Sequence, residues 1–560
     1  ADVASRAFAK DPKLLAFSLS INDTNFYDDS AETLAAVSPA RFFRHRPDYS
    51  NLVFRFTNAV AEIVAKRHPD RWLTAYAYYW CENTPDFPVA RNVVPFLTAD
   101  RSQWSYPEFA AEDKALIERW CRSGAEIVGV YDYYYGQPFL CPRPTLYAVK
   151  ESIPFQHRAG IKAFYAETNP NWALDGPKPW LAAQLLWDPT RDPDALLDVY
   201  FREFWAEAAE PMRQFFAICE RVWREQPGPP LWLRFFQDED QSRIFPPERR
   251  SELRTQVSRA GAAARSEAIR ARVAFVSAGL TASEAFWSFA AARERVSVLA
   301  RGAAEPAELF GAWRTYREAR EHFVRRHAEI LRDQPLALAP QNLEIYLRNQ
   351  PDSRTARELA RTEAGRALLT GTPELSTGFV GVTPREIGAV MSAGTETLQD
   401  AGWRQVVSRP VGGSGTIGWT QSGAWNGSGE PWEGRTVEWK NLQHGGRALR
   451  MASCRTEGIG QWVPATPNAV YAAQVKVRAR SSPGTATFLV VTFLDEKHQH
   501  LGMGRVDRLP ADASVQETEL CVIVRAPANA RFIGFAVRVL NQINDDFAEF
   551  SGASMRRWAE

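Results

Sequence analysis

The chain has little of what marks a metal, redox, nucleic-acid or membrane protein. Its six cysteines, at positions 81, 121, 141, 219, 454 and 521, form no CxxC pair. That excludes the usual structural zinc and dithiol motifs, and also a disulfide-dense scaffold. Histidine is scarce, at eight residues, and no HExxH, P-loop or Ser-His-Asp elbow is present. Charge of one sign is not in excess: 67 Lys plus Arg stand against 66 Asp plus Glu, a net +1. A nucleic-acid or anionic-membrane partner is therefore not expected. No apolar run approaches the roughly 20 residues of a membrane span, and the strongest, residues 488–494, is strand-sized. No signal peptide is visible, and the sequence opens on Ala1, which reads as a processed chain or a fragment.

Aromatic residues, in contrast, are plentiful. They make up 12% of the 560 residues, with 19 Trp, and such flat apolar faces with a polar edge suit sugar rings as well as cores. Apolar residues at 45% and charged residues at 24% are ordinary for a globular protein. The length predicts about three or four domains.

The pattern along the chain divides it. Residues 1–175 alternate strand-like and helix-like segments, with strands expected at 14–21, 72–80, 93–97, 126–130 and 161–166. Apolar strands separated by helices and lacking hairpin turns predict a parallel sheet with helical crossovers. Five strands are too few for a closed (β/α)₈ barrel. Residues 176–375 read as an α-helical domain and 376–384 as a linker rich in Gly, Thr and Pro. From 385 to 560 the period becomes two, as in Ala473, Val475, Val477 and Ala479, which predicts an antiparallel β-sandwich. The fold class is thus multidomain: a partial (β/α)₈-type barrel, an α-helical domain and a C-terminal antiparallel β-sandwich of jelly-roll type.

Carboxylates fall at one place in this pattern. Asp23, Asp100, Asp132 and Glu167 each lie at or just past the C-terminal end of a separate expected strand, where catalytic groups converge in parallel α/β barrels. Two carboxyl groups there, one protonated and one ionised, are what glycoside hydrolysis needs. The competing reading of each acid is a helix cap or a structural partner of arginine. Aromatics crowd the same rim: Tyr78, Tyr79, Trp80, Trp104, Tyr133, Tyr134, Tyr135 and Tyr165, with ordinary packing the alternative for about half. Gly413-Ser-Gly415-Thr-Ile-Gly418 matches GxGxxG but precedes no helical pattern, and reads as a loop. His498 and His500 lack further ligands for a metal, and His157 reads as structural.

The order of several segments resembles a known family. The carrying stretches are Phe17-Ser-Leu-Ser-Ile-Asn-Asp23, Phe56-Thr-Asn58 with His68-Pro69-Asp70, Tyr131-Asp132-Tyr133, Gly160 to Glu167, and Leu186-Trp187-Asp188-Pro189 with Asp192. Over residues 1–220 these resemble the bacterial domain of unknown function 4838. That resemblance implies a glycoside-hydrolase-type barrel similar to those of hexosaminidases and α-glucuronidases. It also implies that the Asn22-Asp23 strand is the barrel's fourth, with three βα units supplied by an upstream segment or another chain. Where the family places Cys after the Asn-Asp pair, this chain has Phe26-Tyr-Asp-Asp29. Gly445 to Met451, Ala469 to Tyr471, Arg525 to Ala530 and Phe550 to Met555 are similar to jelly-roll carbohydrate-binding modules. Those commonly hold a structural calcium, for which Asp545 and Asp546 are the nearby acids. Trp403, Trp419, Trp425, Trp432, Trp439 and Trp462 are candidates for a sugar platform.

The expected function is hydrolysis of a complex polysaccharide or glycan by carboxylate acid/base chemistry. Asp23 would be the acid, Asp132 or Glu167 the nucleophile or base, and Asn22, Trp80, Asp100, Tyr133, Tyr134 and Tyr135 would bind substrate. No catalytic metal or cofactor is expected, and the expected setting is extracellular or periplasmic. The competing readings are a non-catalytic glycan-binding protein and a structural subunit built on a partial barrel. In an open barrel the strand beginning at Leu14 and the strand ending at Glu167 should not pair with each other.

Overall fold

The computed structural model describes residues 1–21, 30–39, 41–44, 46–134, 139–227, 230, 232–236, 239–339, 343–349, 351–372, 381–403, 420–421, 436–443, 446–454, 456–482, 484–502, 504–509, 515–543 and 545–559. The chain forms two compact units. Residues 1–236, 243–283 and 330–341 make the first, and 237–242, 284–329 and 342–560 the second. The helical stretch over 176–375 is divided between them.

The first unit is built on a parallel sheet. Its strands are β1 (Ala16–Ser18), β4 (Trp72–Ala77), β5 (Val93–Thr98), β6 (Gly129–Tyr133) and β7 (Ala163–Glu167), hydrogen-bonded in that order. A short hairpin of β2 (Phe42–Phe43) and β3 (Arg46–Pro47) lies between β1 and β4 in sequence. Among the described residues β1 and β7 are the two edges and do not pair, so the sheet is open. The crossovers include α3 (Ser50–Arg67), α4 (Pro107–Cys121) and α5 (Leu146–Ala159). Each side chain's face follows from the two-residue period of a strand. Leu73, Ala75, Ala77, Val93 and Leu97 pack on Phe54, Ala61 and Val64 of α3 and on Leu116, Ile117 and Trp120 of α4. This is the helix-covered face. The other face carries Trp72, Thr74, Tyr76, Phe96, Tyr131, Tyr133, Tyr165 and Glu167. Gly129 is needed there, because a Cβ would lie 2.6 Å from two carbons of the Phe96 ring.

In the second unit two antiparallel sheets enclose one core. The first runs β10 (Thr436–Asn441), β11 (Arg447–Ala452), β18 (Phe547–Trp558), β13 (Val470–Arg480), β16 (Thr518–Arg525), with β8 (Thr395–Glu396) beside β18. The second runs β15 (Arg505–Arg508), β14 (Ala486–Leu494), β17 (Phe532–Leu540), β12 (Thr456–Pro464), β9 (Thr420–Gln421). Alternate residues such as Val475, Val477, Leu489, Val491, Phe535, Val537 and Phe550 fill the space between. Strand β14 is buried on both faces, because Phe488 and Val490 belong to a second cluster outside the sandwich core. This explains its unbroken apolar run.

Helix Glu267–Leu299 bears on the expectation of no membrane span. By length and composition it is long and apolar enough to cross a membrane. However, 61% of its apolar window is buried within the protein, with Leu280, Phe286, Phe289 and Val296 fully enclosed, the pattern of a core helix.

The outer face of the first sheet carries a charge ladder. Glu438, Arg450, Glu549 and Arg478 are successive cross-strand partners on β10, β11, β18 and β13. Burial raises the Glu549 pKa, but hydrogen bonds from Lys440, Arg450 and Arg478 outweigh it and bring the group down to about 2. Its folded pKa therefore lies below the ordinary 4.5, so its stabilisation is full above about 4.5 and lost as pH falls toward 2. Glu549→Gln should lower stability at neutral pH by roughly 1 kcal/mol and flatten the acid limb of the unfolding-temperature profile. An acid limb identical to wild type would contradict this role.

Candidate active site

The C-terminal ends of the sheet strands bring the expected acids close in sequence order but not onto one face. Register pairs Asp132 with Ala166 and Tyr133 with Glu167, while Leu97 pairs with Val130. Asp132 therefore shares the helix-covered face with Val130, and Glu167 shares the opposite face with Tyr131 and Tyr133.

On the helix side the acids are engaged by the protein itself. Asp132 is 2% exposed. Its Oδ1 accepts the backbone N–H of Tyr133 at 2.8 Å and of Arg101 at 3.2 Å, and its Oδ2 lies 3.8 Å from Arg101 Nη1. The buried Arg101 also meets Asp113 of α4 at 3.2 Å. Asp113 is held in turn by Trp104 Nε1 at 3.0 Å and by Arg44 Nη2 at 3.2 Å, and Arg44 pairs with Glu82. Glu82, Arg44, Asp113, Arg101 and Asp132 thus form one buried chain of alternating charge. Burial pushes the Asp132 carboxyl up to about 6, opposed by Arg101 and helped by Asp100.

Asp100 lies two residues past β5 and is fully buried. Its Oδ1 accepts from Ser102 N at 3.0 Å and Arg143 Nη2 at 3.4 Å, and its Oδ2 accepts from Leu233 N at 3.0 Å. It caps a 3₁₀ turn and anchors a distant loop. Trp80, 5% exposed, packs edge-on against Tyr49, and the buried Tyr134 meets Phe164 with ring centroids 5.9 Å apart. Asn22, Asp23 and Tyr135 lie outside the described residues.

Glu167 occupies a different environment. The Tyr131 hydroxyl donates to its Oε1. Burial and this bond to the carboxylate push the Tyr131 hydroxyl well up, so it stays protonated and can hold Glu167 in place. Around it, Tyr131 lies 4.7 Å from Tyr165, 5.4 Å from Tyr133 and 5.4 Å from Tyr76, between ring centroids. Tyr165 remains 53% exposed, so its ring is available to a ligand. A tyrosine-walled surface with one ionisable carboxylate can stack a sugar ring and accept a hydroxyl or activate a water.

Trp232 was not foreseen from the sequence. Its ring stands edge-on to Tyr133 at 5.2 Å and to Tyr79 at 5.7 Å, and the next residue donates the N–H to Asp100. Leu233 and Phe235 adopt φ of 47° and 64°, which bulky side chains rarely tolerate and which the Asp100 anchor helps hold. No motif marks this loop. For Asp132, counting alternate positions from the apolar Val130 would have shown the face.

In the sandwich, the candidate tryptophans separate. Trp403 is fully buried and packs against Trp439 at 5.6 Å, whereas Trp419, Trp425 and Trp432 lie outside the described residues. Trp462 is 42% exposed. Its ring lies flat on Gly534, where a Cβ would come within 2.8–2.9 Å of three ring carbons, and His500 stands 6.4 Å away. The GxGxxG stretch also lies outside the described residues. Of the acids weighed for calcium, Asp546 accepts from Ser482 N and Oγ at 2.9 Å. Among the described residues no group of three or more His, Cys, Asp and Glu is placed to hold a metal.

Fold and site define an open parallel α/β sheet of half-barrel type, with a tyrosine-walled carboxylate, in one chain with an antiparallel β-sandwich. Residues 2–217 match the family described as Domain of unknown function (DUF4838), the family that the ordered segments resemble. No curated protein matches the chain. Similar solved structures include tailspike protein 4 of bacteriophage CBA120, at 15% identity and TM-score 0.21, covering 28% of this chain and 22% of that one. Another is the CBM22-1–GH10 part of Clostridium thermocellum endo-1,4-β-D-xylanase 10B, at 15% identity and TM-score 0.20, covering 30% and 28%. A third is TmCBM61 with β-1,4-galactotriose, at 13% identity and TM-score 0.21, covering 30% and 99%. The chain thus spans under a third of the tailspike domain and of the xylanase.

The helix-side environment of Asp132 has a measurable consequence. Its folded pKa, about 6, lies above the ordinary 3.8, so between these values the folded state binds more protons and this group's contribution falls as pH rises. Asp132→Asn removes that slope. Urea unfolding at about pH 5 and about pH 7.5 should show the variant gaining on wild type at the higher pH. An unchanged difference would contradict the buried placement.

Proposed function

We propose that the chain is a glycoside hydrolase acting on a complex glycan, with Glu167 as nucleophile or base and Asp23 as the acid. The observation that carries this reading is the position of Glu167. Among the described strand residues it is the carboxylate on the face opposite the helices, oriented by Tyr131 and bordered by the half-exposed ring of Tyr165. Asp23 follows β1 in sequence, and is the acid left for proton donation among the four weighed once Asp132 and Asp100 are assigned to the interior. Tyr165 and Tyr131 would stack the sugar, and Trp232 would border the subsite beside Tyr133. A polymeric substrate places the protein outside the cytoplasm, in the extracellular medium or periplasm. The second reading, a non-catalytic glycan binder, is favoured by Trp462, an exposed ring lying flat on a glycine and equally able to hold a sugar in a protein without turnover.

Reducing-end release from a panel of plant, algal and host polysaccharides tests the first reading with the full chain. Wild type should release sugar from at least one of them. Glu167→Gln and Asp23→Asn should each lose about 10²-fold or more, since general acid–base help is worth typically 10²–10⁴-fold. Losses under tenfold in either variant would overturn the assignment, and binding without release by wild type would establish the second reading. Trp462→Ala should weaken retention on insoluble polysaccharide by roughly tenfold, the scale of one lost aromatic stacking contact, with the unfolding temperature unchanged. Unaltered retention would remove Trp462 from glycan binding.

A further inference from the structure

At one end of the first sandwich sheet, on its outer face, Arg450, Ala452, Arg480, Asp545, Asp546 and Phe547 line a groove of about 510 Å³. It is built from one cross-strand row, since Ala452 pairs with Phe547 and Phe547 with Arg480. Most of the groove's charge is already engaged. Arg450 donates to Glu549 at 2.8 Å and lies over the Phe547 ring at 4.2 Å. Asp546 accepts from Ser482 N and Oγ and from Ile543 N at 3.0 Å.

Two groups differ. Arg480 and Asp545 are exposed; among the described residues no side-chain hydrogen bond or ion pair within 4 Å engages either, and Arg480 acts on the neighbouring Asp546 through charge alone. Arg480 also ends a stripe of cations on β13, after Lys476 and Arg478. Those two are neutralised, by Glu517 at 3.3 Å and by Glu549 at 2.6 Å. The groove therefore offers a guanidinium fork for a planar anion, a carboxylate able to accept hydrogen bonds from hydroxyls, and apolar surface from Ala452. A ligand matching all three carries a carboxylate and free hydroxyls on one compact ring.

We propose that this groove binds an acidic sugar, a uronate unit, with its carboxylate on Arg480 and ring hydroxyls on Asp545. The proposal deepens the glycan reading and rests on it. A neutral sugar would leave the exposed Arg480 fork without a hydrogen-bonded anion, since Asp546 acts on it through charge alone. A bare carboxylate without hydroxyls would leave Asp545 unused and repelled.

Binding of the full chain to polygalacturonate, to fully methyl-esterified polygalacturonate and to neutral galactan tests it. Esterification keeps the ring and removes the charge. Polygalacturonate should bind at least tenfold more tightly than the ester. Arg480→Gln should lose that advantage, by about tenfold or more, the scale of one charge-assisted hydrogen-bonded pair. Lys476→Gln removes the same charge from the same strand outside the groove and should change affinity less than about twofold. Equal binding of acid and ester, or equal losses in both variants, would overturn the groove assignment. Binding of galactan alone would overturn it while leaving the glycan reading intact, and binding of none of the three together with no release from the wider panel would overturn both.

Discussion

The first unit depends on a buried chain of charges at the C-terminal ends of its strands. Glu82, Arg44, Asp113, Arg101 and Asp132 alternate in sign and link the loop after β4, the β2–β3 hairpin, α4, the turn after β5 and β6. Each member is buried or nearly so. Removing one partner of such a chain strands a charge in a poorly solvating interior and costs on the order of 3–5 kcal/mol. These acids therefore hold the strand ends and their loops together. Arg143, bridging Asp100 and Ser102 Oγ, and the buried pair Lys178–Asp175 at 3.2 Å extend the same interior network.

That commitment leaves the open face of the sheet to different chemistry. Tyr76, Tyr131, Tyr133 and Tyr165 form a contiguous wall, and Glu167 is set within it by a tyrosine hydroxyl. The alternation of a strand thus separates two kinds of carboxylate on adjacent strands β6 and β7. One is buried beside arginine behind the sheet, and the other is bordered by aromatic rings in front. A similar division holds in the sandwich, where Glu549 is saturated by three cations while Arg480, on the neighbouring strand, is not.

Much of this was legible in the sequence. The five parallel strands were expected from apolar segments that recur between helical patterns, and all five fall within about three residues of the expected limits at each end. The open order, with β1 and β7 unpaired, followed from the strand count. The sandwich followed from the period of two in β13 and β17. What the strand pattern could not show was the partner of each acid. Asp100 and Asp132 stand at strand ends as a catalytic residue would, but their partners Leu233 and Arg101 lie 133 and 31 residues away along the chain. The alternative weighed for them, capping and arginine pairing, describes both. Trp232 was invisible for the same reason, since its site exists only once a remote loop is anchored on Asp100.

The central claim is that the tyrosine wall and Glu167 form the ligand face of the sheet. A crystal structure of the full chain soaked with an oligosaccharide from whichever polysaccharide it cleaves or binds tests this most directly. The account predicts a sugar ring stacked on Tyr165 or Tyr131, with a sugar oxygen within hydrogen-bond distance of Glu167. Oligosaccharide density confined to the sandwich, with the tyrosine wall empty and Glu167 bonded only to Tyr131, would contradict it.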